Sequence, residues 1–398
     1  MTNLVRVWLL GASAWLALGS AATQREPAYA KLDPAAARSM QLSLVGGGAS
    51  FCPGDPPQLK VVVTTAAGTV FETWAQADKV RDGKLAFSSF EWSPSAGAVS
   101  EDGVYLAPAD PLATLDSIVT VNARVAGNPH VQAQLQLEAS YRCGAQVDVS
   151  GASGRDGRSG EPGRDGRSGE SGNRDRRAVD GERAGQGGPG GDGQSGTSAP
   201  PVEVVLGYLR SDKHGPLIVA RVTRMDSPGT FRYYLLDPQG APLQVIAAGG
   251  DGGNGGRGGA GGAGGAGGSN DIEGGGDGAD GGDGGDGGLG GAGGDGADGG
   301  AVLVRYDRAH PELQRAVRVE NRGGRAGYAG NGGAGAGAGQ GGSSASGKRG
   351  QNGRDGVGGN AGSREGSEGR PGAPPVLRGE AREALFAGEI ERGWQILP

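Results

Sequence analysis

The sequence predicts an all-β chain that carries a bundle of extended polyglycine II helices. Three observations predict it. Glycine recurs with period three in three separate blocks, each broken once near its middle. Runs of β-branched and aromatic residues, closed off by turn signals, lie between the blocks. The region ahead of them, 40–148, alternates apolar and polar positions with period two.

Residues 1–22 read as a secretory signal. Arg6 precedes an apolar stretch at 7–18, and the small residues GSAA follow. The stretch is too short for a membrane span with a stop-transfer flank, and no later segment is apolar enough to span. Cleavage is expected near Ala22, with Ala28-Tyr29-Ala30 as a second site. Residues 23–39 read as a linker. The expected location is secreted, periplasmic or bacterial cell surface. Cys52 and Cys143 are the only cysteines, and in an exported chain such a pair reads as a disulfide. Closing a loop of about 92 residues stabilises by roughly 4–5 kcal/mol in the chain-entropy picture.

Within 40–148, Leu59, Val61 and Val63 alternate with second-face positions. Val119, Val121, Ala123 and Val125 do the same, as do Val131, Ala133, Leu135, Leu137 and Ala139. That spacing reads as a β-sandwich. The stretch EWSPSAGAVSEDGVYLAP at 91–108 resembles the bacterial immunoglobulin-like domains of surface proteins. The resemblance covers about 100 residues and implies an immunoglobulin-like sandwich. No tryptophan sits where an antibody-type domain packs one on its inter-sheet disulfide, so a bacterial variant is implied.

The glycine-repeat region spans 149–372. Its blocks run over 151–198, 249–300 and 323–372, with breaks at 173–180, 269–273 and 343–346. Three residues per turn is the repeat of an extended left-handed helix rising about 3.1 Å per residue. A glycine at every third position leaves one edge as bare backbone, against which another helix packs and forms lateral N–H···O=C bonds. The three blocks then form three hairpins, six helices in two layers, with arms of about 20 residues and roughly 60 Å. Block two is G-G-x on both arms and so takes the middle, where bare edges are needed on more sides. Block one and the second arm of block three are mainly G-x-x and take the corners. The structural glycines of block two are Gly252, Gly255, Gly258, Gly261 and Gly264 on one arm, and Gly281, Gly284, Gly287, Gly290 and Gly293 on the other. Collagen is the rival reading and would make a trimer, but only Pro162 and Pro189 fall within block one's repeats. A disordered glycine linker is the other rival, although a linker needs neither strict phase nor matched arms. VRVENRGGRAG at 317–327, with the paired G-G-x arms, resembles exported bacterial glycine-rich proteins labelled collagen-like. The snow-flea antifreeze proteins are similar in repeat pattern only.

Segments 202–210, 217–225, 231–236, 243–248, 301–306 and 315–320 read as strands separated by turn signals. They predict a small antiparallel β-sandwich, over 202–248 and 301–321, from which the hairpins project. In the C-terminal segment, 373–398, Leu385, Phe386, Ile390 and Trp394 recur at helical spacing. A short helix packed on the β base is expected, with partner docking as the alternative.

The net charge of −6 is unevenly placed. Block two holds eight Asp and Glu273 against Arg257, a balance of −8, whereas block three has six basic residues against three acids. Nothing favours nucleic-acid binding. Asp277, Asp280, Asp283 and Asp286 invite a calcium reading, but successive positions stand roughly 9 Å apart along one such helix, so a solvated face is preferred and no metal is expected. GSSASGK at 342–348 nearly matches a P-loop, yet Arg349 occupies the Ser/Thr position. His130, His214 and His310 are isolated. No catalytic cluster and no cofactor site is visible. The sequence therefore predicts a non-catalytic exported structural or display module, a monomer. The alternatives are an adhesin for an extracellular glycan or protein, or an ice binder using Ala260, Ala263 and Ala266, either one through the flat face of the bundle, or else a disordered glycine-rich linker protein.

Overall fold

A computed structural model describes residues 29–73, 83–345 and 347–398. The expected signal at 1–22 and the start of the linker lie outside the described residues. The chain is mostly β, with one α-helix among the described residues, and divides into two compact units.

The first unit comprises Met1–Ala49, Pro57–Tyr105 and Thr120–Gln136, and the second Ser50–Pro56, Leu106–Val119 and Leu137–Pro398. In chain order the first strands are β1 (Ala37–Leu44), β2 (Ser50–Phe51), β3 (Leu59–Thr65), β4 (Val70–Glu72), β5 (Phe90–Pro94), β6 (Ala98–Val99), β7 (Tyr105–Leu106), β8 (Ile118–Val125) and β9 (Asn128–Ala139). β1 pairs antiparallel with β3, and β3 with β4. β5 pairs antiparallel with β8. β3 follows the period-two rule strictly: Leu59, Val61 and Val63 are fully buried. Val121 and Val125 of β8 are buried likewise, so the apolar set of each strand occupies one face. β1 begins at Ala37, inside the segment read as linker. β2 pairs parallel with the end of β9, Ser50 opposite Glu138 and Phe51 opposite Ala139, all within the second unit.

The second unit contains six extended glycine arms: arm 1 (151–172), arm 2 (179–199), arm 3 (249–270), arm 4 (276–300), arm 5 (321–343) and arm 6 (347–373). Almost none of their residues is in a helix or strand. Arms 1, 3 and 5 run parallel in one layer. Gly154 donates its N–H to the Asp251 carbonyl at 2.7 Å, and Gly252 to that of Arg325 at 2.8 Å, and the pattern repeats every third residue. Arms 2, 4 and 6 form a second layer in the same sense, as in Gly187 to Asp286 at 2.8 Å and Gly284 to Arg354 at 2.9 Å. Antiparallel ladders join the layers: Gly185 to Arg164, Gly288 to Gly259 and Gly359 to Gly333, each 2.8 Å.

The bonding places each arm. Among the described residues arm 1 bonds only to arms 2 and 3, and arm 6 only to arms 4 and 5, whereas arms 3 and 4 are bonded on all sides. Glycine content follows. An added Cβ at Gly261 would meet the Gly285 carbonyl far inside 3.0 Å, and one at its neighbour Gly262 would meet that of Arg164. At Gly358 of arm 6 the nearest atom would be the Gly333 oxygen at 3.7 Å, an ordinary contact. Arm 6 also carries an extra residue between Gly362 and Gly366. Both glycines keep their bonds, to Gly330 and Gly327, so the surplus is absorbed locally.

The arms are continuous with two sheets. β10 (Gln146–Asp148), β14 (Leu243–Ile246) and β16 (Val317–Glu320) form an all-parallel sheet and lead into arms 1, 3 and 5. β11 (Val202–Ser211), β15 (Val302–Asp307) and β17 (Val376–Glu380) follow arms 2, 4 and 6 and are also mutually parallel. Only β12 (Gly215–Arg224) and β13 (Phe231–Leu236), added beside β11, are antiparallel. The expected antiparallel sandwich is thus corrected. Each hairpin sends its two arms to opposite layers, so members of one layer all run the same way, and the strands inherit that direction. Between the sheets, Val202, Val204 and Leu206 meet Leu243, Val245, Val302, Val304 and Leu313 in a fully buried core.

On the other face of β11, α1 (Arg382–Glu391) packs with Leu385 and Phe386 buried. A Cβ at Gly207 would press on the Phe386 ring at 2.6 Å, which explains that glycine. Of the residues expected on a helix, Leu385 and Phe386 are buried on it, Trp394 is buried just beyond its end, and Ile390 is exposed; Ile396, outside the expected set, is buried too.

Candidate functional surfaces of the bundle

The ten glycines singled out in block two occupy equivalent places. Gly252 to Gly264 donate to arm 5, and Gly281 to Gly293 donate to arm 6. A second set, which sequence reasoning did not single out, does the matching work toward block one. Gly253, Gly256 and Gly259 donate to Gln194, Gly191 and Gly188 of arm 2. The doubled glycine of G-G-x is its signal.

The aspartates have a structural role that sequence reasoning missed. In each arm the repeat glycines bond laterally through their N–H groups, and the N–H of the residue that follows them is left over. Here an aspartate on the neighbouring arm accepts it. Asp280, Asp283 and Asp286 take the N–H groups of Gln351, Arg354 and Val357 at 2.6–2.7 Å. Asp277 takes that of Lys348, and Asp298 that of Arg370, both at 2.7 Å. Asp156, Asp165, Asp180 and Asp192 serve arms 3 and 4 in the same way. Asp295 accepts from the Arg364 guanidinium at 3.0 Å, and from the Ser367 N–H and hydroxyl. Arg364 first, then Ser367, hold its carboxyl far below the usual carboxylate range. Among the described residues no group of three or more His, Cys, Asp or Glu is arranged to hold a metal ion.

The two outer faces differ. On the first layer, Ala260, Ala263 and Ala266 are exposed, with Pro162, Ala334 and Gly337 beside them and Asp165 bonded to the Ala263 N–H. On the second, the Asp row of arm 4 lies beside Arg354, Arg364 and Arg370, broken by the exposed Leu289 and Val357.

Elsewhere in the second unit, Cys52 and Cys143 form a disulfide, as expected. It borders a cavity of about 500 Å³ lined by Tyr141, Phe231, Tyr233 and Tyr234. Burial pushes the Tyr141 phenol up to about 12. His214 and His310 line another hollow of about 520 Å³. His214 packs edge-on against Tyr141, and His310 against Tyr208. His310 also lies 3.2 Å from Glu312 and 2.9 Å from the Pro398 carbonyl oxygen. At the C-terminal latch, Glu389 is buried with Arg221, and the Tyr233 hydroxyl donates to it at 2.6 Å. Burial acts to raise its carboxyl pKa, but the bonds from Tyr233 and Arg221 outweigh this and hold it below the ordinary value.

No family model, curated protein or solved structure matches this chain. Among the described residues no helix is long and apolar enough to cross a membrane.

Proposed function

We propose that the chain is a non-catalytic, exported structural or surface-display protein, in which a rigid polyglycine II bundle follows a bacterial immunoglobulin-like domain. One observation carries the reading. Two layers of arms are tied by backbone bonds at every third residue, in-layer and across, and the leftover N–H groups are taken up by aspartates. Three residues per turn and lateral bonding belong to the extended left-handed helix. A disordered linker would have neither. The aspartates that invite a metal reading, Asp277, Asp280, Asp283 and Asp286, are committed to this lattice. Export is supported by the N-terminal apolar segment and by the disulfide.

Amide hydrogen exchange on the oxidised protein, read at glycines 249–300, tests the reading. Strong protection together with a one-chain mass in solution is expected. Random-coil exchange would overturn the bundle, and a three-chain mass would favour collagen. An adhesin reading is favoured by the aromatic lining of the cavity beside the disulfide. It predicts saturable binding to an extracellular glycan, lost on Tyr233→Ala.

A further inference from the structure

Along the arms, every in-layer backbone bond runs in one direction, from an N–H of an earlier block to a carbonyl of a later one, the tip bond from Ala345 back to Asn270 excepted. Block three therefore ends the lattice with donors unused. The N–H groups of Ala329, Gly332 and Gly335 on arm 5 have no acceptor among the described residues. Their counterparts on arm 3 are all engaged, as in Gly258 donating to Asn331 at 2.9 Å. Along the adjoining arm, the carbonyls of Gly356, Gly359 and Gly362 accept no bond among the described residues. The equivalent carbonyls of arm 2 accept from arm 3, as Gly188 does from Gly259 at 2.8 Å.

The margin is closed nearer the tip and open in its middle. Asp355 caps the N–H of Ala338 at 2.8 Å, and Asn352 caps that of Gly341 at 2.9 Å. Between Asp355 and Glu365 the outward positions of arm 6 are Gly358 and Ala361, which leave the donors and acceptors uncovered.

We infer that this margin of arms 5 and 6 is a docking groove for one extended partner strand with glycine at every third residue and basic residues between. The inference rests on the scaffold reading above and adds the partner. A strand there would lie to block three as arm 3 lies to block one. At that place in arm 3, a Cβ on Gly256 or Gly259 would overlap the carbonyl of Arg158 or Glu161. The occupant therefore needs glycine in period three. The side chains flanking the opening, Asp355, Glu365 and Glu368, are exposed and acidic, which selects basic residues between the glycines. Arg354 and Arg370 belong to the opposite row, bonded to Asp283 and Asp298 of arm 4. A second folded copy does not fit, because its arm 1 presents Arg155, Arg158 and Glu161 on its free side, where the groove has no room for side chains.

The test titrates the full oxidised chain with a synthetic peptide of five Gly-Arg-Ser triplets, and with an aperiodic peptide of the same composition. The periodic peptide should bind at least tenfold more tightly and slow amide exchange at Gly332 and Gly335. Gly358→Glu with Ala361→Glu should abolish that difference while glycines 249–300 keep their protection. Ala329→Pro removes one donor without adding a Cβ, in a backbone conformation proline accepts, and should weaken binding severalfold. Equal affinity for both peptides would reduce the effect to charge and overturn the groove. Unchanged binding in both variants would overturn it too, as would a concentration-dependent rise in mass without peptide, which assigns the margin to a second copy. Loss of protection at glycines 249–300 in the unliganded wild type would instead sink the scaffold reading.

Discussion

The inner arms of block two and the outermost arms, 1 and 6, share one backbone repeat yet differ in what they tolerate. Arms 3 and 4 carry glycine at two positions of three because carbonyls face them on several sides. Arms 1 and 6 need bare backbone only toward two neighbours, and glycine at one position in three suffices. Glycine density therefore reports lateral position in the lattice. Where side chains are allowed outside they cover the margin, as Asp355 and Asn352 do near the tip of block three, in the way charged residues blunt the edge strands of sheets.

The sharpest way to break this comparison is to place the same side chain in both regions. Gly261→Val drives a branched side chain into the Gly285 carbonyl and should destabilise the second unit by about 3 kcal/mol. Gly358→Val, facing open space, should change stability by less than about 0.5 kcal/mol. Paired denaturation curves would show it, and equal losses would end the positional account. Next in size, Asp283→Ala removes the acceptor of the Arg354 N–H and should cost about 1 kcal/mol. Asp283→Asn, which keeps an acceptor oxygen, should recover part of that, read from the same midpoints.

Acid offers a third test. The folded-state carboxyl of Asp295 lies below its ordinary value near 3.8. Its contribution is therefore fully present above that value and is lost as pH falls through the depressed one. Thermal midpoints should be flat above about pH 5 and fall in stronger acid, and Asp295→Asn should reduce that fall. The smallest effect belongs to the margin. Arg158→Ala on arm 1 leaves every backbone bond in place and should shift stability by no more than about 0.5 kcal/mol.

Much of this was legible because the repeat is a steric requirement written directly in residue type. The phase of glycine and its doubling in block two both point to the arms the structure places at the centre. Strand positions such as β13 were legible from β-branched and aromatic runs. Pairing direction was not. Period-two alternation says which face a residue takes, and nothing about which way the neighbour runs. β17 was missed because Val376 and Leu377 are both exposed and no alternation marks it. The aspartate bonds were missed because they depend on the lateral register of arms about 70 to 100 residues apart, as in Asp283 with Arg354. A one-dimensional reading sees only a charged face.

The continuity of sheets and arms has a mechanical consequence. The chain enters the bundle from β10 and leaves it into β17, so both ends of the glycine region sit at the sheet end. Tension applied across 149–372 is met first by the short parallel ladders of β10 with β14 and of β15 with β17. With both attachment points at that one end, the load crosses the strands and peels these bonds one after another. The hairpin tips lie outside the line of load. The glycine lattice stays slack under pulling until a sheet yields, and the β base acts as the fuse of the assembly.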